Sequence, residues 1–233
     1  MTTLKEIEKK HHYTFPKLYK QLWDGDMLNW MRGFDTALEK GKTWAGDVYP
    51  TLQENPPLLL HSGGSDFELL TPDEILHFEF PNDWNTDIHH FIPFAKTAEG
   101  NVYAFYENNE IEDDPIVLIW EDDETEIIAK NFEDFIFKKM MEAANDIDKE
   151  DLEADYGKKE DAIENYRADL KADLKSIEPY LNTDYVKVLK NTYNAGVVST
   201  LISYRFKTSK PLKEILSEML NVESLGDPFD HER

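Results

Sequence analysis

Apolar positions near the start of the chain recur at helical spacing. Leu4, Ile7, Glu8 and His11 fall on one face of a first helix. A second helix is predicted over residues 15–23, with Pro16 at its start and Thr14 as its cap. Asp24-Gly25-Asp26 breaks or kinks that run, and Met27, Leu28, Trp30, Met31 and Phe34 extend an apolar face that reads as helical.

Beyond Pro50 the pattern changes to short apolar runs separated by turn residues. Leu58-Leu59-Leu60 and Phe67-Glu68-Leu69-Leu70 flank Ser62-Gly63-Gly64-Ser65 and read as neighbouring strands. Thr71-Pro72-Asp73-Glu74 has the capping-box form and predicts a short helix. Residues 91–95 and 101–106, joined across Glu99-Gly100-Asn101, predict a hairpin. Residues 116–120 and 125–129 predict a second one, after which Asn131 caps a helix striped by Phe132, Phe135, Ile136 and Met140.

From about Asn145 the chain turns to Ala, Lys, Asp and Glu at helical spacing. Ala162, Tyr166, Leu170 and Leu174 form one stripe, and Leu212, Ile215, Leu216, Met219 and Leu220 another. Residues 197–206 fit either a strand or a helix, and the pattern leaves that open. The polar stretch 146–159 reads as a connection between two parts. The organisation predicted is an α+β domain over residues 1–145, with a twisted, mostly antiparallel sheet flanked by helices. A mainly helical C-terminal extension follows over residues 146–233.

Composition narrows the class. The 233 residues are 40% apolar and include 13 Phe, 11 Tyr and 5 Trp, enough for a folded core despite a net charge of −23. No apolar run reaches the roughly 20 residues of a membrane span, and the charged start has no export-signal pattern. The absence of cysteine excludes disulfides, thiolate nucleophiles and Cys-ligated zinc, and suits a reducing cytoplasm. The charge is concentrated: residues 43–129 hold 20 Asp or Glu against one basic residue, Lys96. Such a surface repels nucleic acid and anionic membranes, and it attracts cationic partners within about one Debye length, ~8 Å at physiological salt.

The order of elements resembles the SMI1/KNR4, or SUKH, superfamily. The residues that carry the likeness are Glu8, Phe15, Pro16, Tyr19 and Leu22 near the start, then Ile92, Pro93, Phe94, Ala95, Gly100 and Tyr103 in the first hairpin. Residues 116–120, Phe132 and Phe135 complete it, over roughly residues 2–144. The family pattern has Leu-Pro and Asn-Gly pairs where this chain has Phe15-Pro16 and Asp24-Gly25. The resemblance implies a non-catalytic immunity-type protein that binds and neutralises a cognate protein toxin, often a nuclease or deaminase. The alternatives weighed are a regulatory scaffold or adaptor and an uncharacterised hydrolase.

Candidate partner-binding residues follow from charge and exposure. Glu110, Glu112, Asp113 and Asp114 precede the 116–120 strand, and Glu121, Asp122, Asp123 and Glu124 follow it. Carboxylates there would imitate the phosphates of a nuclease substrate and face a basic toxin groove. Neither run has the spaced oxygen ligands and glycine turn of a calcium loop. Trp84, between Pro81-Asn82-Asp83 and Asn85-Thr86-Asp87, is a candidate interface anchor if exposed; the other reading folds it back on the sheet. His11-His12 and His89-His90 are adjacent pairs whose rings diverge on a helix or strand, so no zinc site is expected, nor any other cofactor. With 48 acidic residues, chance carboxylate pairs are certain and carry no glycosidase signal. No nucleophile-elbow, P-loop or dinucleotide fingerprint occurs, and Ser62-Gly63-Gly64-Ser65 reads as a turn.

Overall fold

The computed structural model describes residues 2–30, 41–53, 55–64, 67–81, 84–85, 88–107, 114–120, 124–145, 147–157, 159–220, 225 and 227–231. It groups into two compact units, Met1–Asn29 with Ser65–Phe135 and Ser217–Arg233, and Trp30–Gly64 with Ile136–Leu216. Each unit draws on segments from both sides of residue 145.

In the first unit α1 (Leu4–His11) starts at a capping box, with Thr3 Oγ1 accepting from the Glu6 N–H and the Glu6 carboxylate accepting from the Thr3 N–H. Lys9, Lys10 and His11 complement the negative end of its dipole. The second helix, α2 (Lys17–Asp24), is capped by Pro16 and not by Thr14, and its cap makes no side-chain hydrogen bond. It stops at Gly25, and residues 27–30 are not helical as the pattern had predicted. Asp26 takes a left-handed φ of 55°, which turns the chain out of the helix. Met31 and Phe34 lie outside the described residues.

Five antiparallel strands follow in meander order: β1 (Glu68–Leu69), β2 (His90–Lys96), β3 (Val102–Glu107), β4 (Ile116–Ile119) and β5 (Thr125–Ala129). Both predicted hairpins form, with Lys96 opposite Val102 and Ile119 opposite Thr125. Pro93, which cannot donate to a ladder, sits where the β2 register shifts. The short helix after β1 spans Pro72–His77. Leu58-Leu59-Leu60, expected as a strand beside β1, is instead a buried turn, with Leu59 at a φ of 56°. Consecutive leucines, here with Leu58 and Leu59 buried and Leu60 half-buried, read the same by periodicity in a strand or a coil.

The sheet is apolar on both faces. One side carries Tyr103 and Phe105 of β3 against Phe15, Tyr19 of α2 and Phe94, then Phe132 and Phe135 from the next helix, Phe132–Glu142. The other carries Val102, Ala104 and Tyr106, packed with Trp84, Phe91, Val117, Ile119 and Ile127. A C-terminal segment covers that second face: Phe229 pairs backbone to backbone with Thr125 at 2.8 and 3.0 Å and stacks on Tyr106.

The second unit is mainly helical. Among the described residues the α-helices are, in chain order, α1, α2, α3 (Tyr49–Leu52), α4 (Pro72–His77), α5 (Phe132–Glu142), α6 (Lys149–Tyr156), α7 (Lys159–Ile177), α8 (Thr183–Tyr193) and α9 (Leu212–Leu220). The stripe of Ala162, Leu170 and Leu174 is the buried face of α7. Residues 197–206 resolve as a hairpin, β7 (Val197–Ser199) and β8 (Ser203–Phe206), in a small sheet ordered β6-β8-β7 with β6 (Ile147–Asp148). Arg167 of α7 secures it, donating to the Tyr193 and Ala195 carbonyls at 2.6 and 2.8 Å and lying over the Phe206 ring.

Candidate partner-binding surface

The predicted surface is organised by β4. Its four residues are almost wholly buried, and Trp120, the next residue, is 39% exposed. The change is abrupt because Ile119 opposite Thr125 is the last pair of the ladder, so Trp120 lies in the connection to β5. Tryptophan is enriched among the residues that carry most of the energy of protein–protein interfaces. Glu124 and Glu126, close in sequence to Trp120, are both exposed. Glu121, Asp122 and Asp123 lie outside the described residues, as do Glu110, Glu112 and Asp113.

Asp114 stands before the other end of β4, about 20 Å from Trp120 at the rise of an extended chain. Its carboxylate is held in place, accepting a 2.6 Å hydrogen bond from the Tyr13 hydroxyl. Burial, with the negative charge of Asp114 added, pushes the Tyr13 hydroxyl well above the ordinary tyrosine range, so Tyr13 remains a donor. Among the described residues, Asp114 and Glu124 stand at the two ends of β4.

Of the two readings of Trp84, an exposed anchor or a ring folded back on the sheet, the structure shows the second. Trp84 is 6% exposed, tilted against Phe80 at 5.4 Å and edge-on to His231 at 4.5 Å. The polar residues around it in sequence hid its partners, one of which comes from the far end of the chain. Among the described residues Trp120 is an exposed indole that the sequence reading passed over; its signal was its position between an apolar strand and an acidic run.

The second unit holds a group with the residue types of a hydrolytic triad, in a different arrangement. Asp173 Oδ2 accepts from the His61 N–H at 3.0 Å, the Ser62 N–H at 2.7 Å and the Ser62 hydroxyl at 2.6 Å. Ser62 therefore donates to a carboxylate, and the His61 ring faces Asp169 and Tyr49 instead. The Ser62 hydroxyl thus meets a carboxylate, where the serine of a hydrolytic triad donates to an imidazole. Among the described residues no three His, Asp or Glu side chains converge to hold a metal ion. Nor is any helix among them long and apolar enough to cross a membrane.

Comparison with protein families finds a match over residues 2–138 to the SMI1 / KNR4 family (SUKH-1). Comparison with curated proteins and comparison with solved structures find no match.

Proposed function

The chain belongs to the SMI1 / KNR4 family (SUKH-1), and from that premise we propose that it is an immunity-type protein that binds and neutralises a cognate toxin. The observation that carries this reading is the exposed Trp120 beside an acidic run, in a region of concentrated negative charge. The partner is a basic protein, such as a nuclease or deaminase whose groove binds phosphates. An arginine of that groove can stack on the Trp120 indole while its guanidinium pairs with Glu124, a combination lysine does not match. The carboxylates of residues 110–114 and 121–124 raise the association rate, to about 10⁸ M⁻¹s⁻¹ at low salt. Neutralisation is by occlusion of the toxin site in the cytoplasm, and no residue of this chain reacts.

The test is co-expression with the product of the gene immediately upstream. Rescue of growth together with a co-purifying complex that weakens steeply with added salt is expected. A complex without toxicity would favour the scaffold reading, and absence of any complex would sink both.

A further inference from the structure

His11-His12 and His89-His90, far apart in sequence, meet at one open cleft of about 410 Å³ in the first unit. Its floor is aromatic. Phe78 and Phe80 lie 4.9 Å apart, and Phe80 continues to Trp84 at 5.4 Å and Phe91 at 6.0 Å. Phe78 and Phe80 are only half-buried, so part of their ring surface is open to a ligand. Lys10, His11, His12, His90 and Glu79 stand around it.

Three of the four imidazoles are committed to the fold. His11 Nε2 faces the Ile75 carbonyl at 2.8 Å, which can only accept, so that nitrogen carries the proton. Burial lowers the His11 pKa, which favours the neutral ring. His90 Nε2 donates to the His11 carbonyl at 2.8 Å while its Nδ1 meets the Glu107 carboxylate, so both ring nitrogens are engaged. His89 Nδ1 engages the Tyr106 hydroxyl at 3.1 Å. Lys10 and His12 differ: both are exposed, and neither side chain has a hydrogen-bond or ion-pair partner among the described residues.

We infer that this cleft binds a small organic anion built on a planar ring, the ring lying on Phe78 and Phe80 and the carboxylate or phosphate meeting Lys10 and His12. The volume is within the range of small-molecule sites, and the pairing of an aromatic floor with a few convergent polar groups is their usual chemistry. Glu79 is the opposing charge on the rim and weakens the site for an anion. Neither Trp120 nor Glu124 lines the cleft, so the site is independent of the proposed toxin surface.

Titration of the full chain followed by amide and indole NMR shifts tests this with benzoate, phenyl phosphate, benzamide and inorganic phosphate. Benzoate and phenyl phosphate should saturate in the millimolar range or tighter, with shifts confined to residues 10–12, 78–81, 84 and 89–91. Benzamide, which lacks the charge, and inorganic phosphate, which lacks the ring, should each bind at least about fivefold more weakly. Lys10→Gln and His12→Asn should each weaken benzoate several-fold, Asn being chosen because His12 has a left-handed φ of 50°. Glu79→Gln should tighten it. Absence of saturable shifts, equal binding of benzamide, shifts that map elsewhere, or a Glu79→Gln response of the wrong sign would each overturn the assignment.

Discussion

Asp173 and Ser62 are joined twice: one carboxylate oxygen accepts both the backbone N–H and the hydroxyl of Ser62, at 2.7 and 2.6 Å. The second oxygen, Oδ1, is buried with no hydrogen-bond partner among the described residues. A helix of the C-terminal half thereby pins the turn at residues 58–64, supplying a partner for donors that no strand ladder satisfies.

Removing that carboxylate should be severe. Asp173→Ala strands the His61 N–H, the Ser62 N–H and the Ser62 hydroxyl, and a loss of about 2–4 kcal/mol in unfolding free energy is expected from urea denaturation. Burial is the dominant influence on Asp173 and raises its carboxyl above the usual 3.8. A raised carboxyl adds stability that is complete below its unfolded value and is lost as pH rises through its folded value. Asp173→Asn should remove that fall from the stability profile above pH 3.8.

The two tryptophans separate fold from partner binding. Trp84→Ala empties a packed site and should cost about 3–5 kcal/mol. Trp120→Ala should leave the melting temperature nearly unchanged yet weaken the toxin complex by more than about tenfold. Calorimetry on both variants, with and without the co-purified partner, checks the contrast; equal destabilisation of the free protein would refute it.

The capping box at α4 should respond to acid in the opposite sense to Asp173. Burial alone would raise the Glu74 carboxyl, but the Thr71 N–H and hydroxyl and the Lys96 ammonium outweigh it and hold it below the ordinary value of 4.5. A lowered carboxyl contributes stability above its unfolded value and loses it as pH falls through the folded one. Thr71→Ala should cost about 1 kcal/mol at neutral pH and less below pH 4.5, as read from unfolding curves at the two pH values.

Phe229 should behave as a core residue of the sheet despite its place near the end of the chain. It stacks on Tyr106 and contacts His89 and Phe91. Phe229→Ala should cost about 2–4 kcal/mol and increase binding of a hydrophobic dye, because it uncovers one face of β3. An unchanged dye signal would show that this face is covered without it.

Much of the sheet domain was legible because its signals are local. The short apolar runs of β2 to β5, the Gly100 turn, the Thr71 capping box and the stripe of Phe132 and Phe135 depend on neighbours a few residues away. The hairpin at 197–206 was ambiguous for a related reason: its apolar spacing satisfies both periods, and pairing of β8 with β6 decides between them. The turn at 58–60 was misread because consecutive leucines specify burial and not backbone shape.

By itself the sequence determined the family pattern, the β2–β3 and β4–β5 hairpins, the absence of thiol chemistry and the concentration of negative charge between residues 43 and 129. Tertiary structure alone decided which indole faces water, which ring donates to which carbonyl, and that Asp173 reaches Ser62 across the chain. Burial and long-range hydrogen bonding depend on groups separated by scores of residues, and no periodic pattern carries the distance between them.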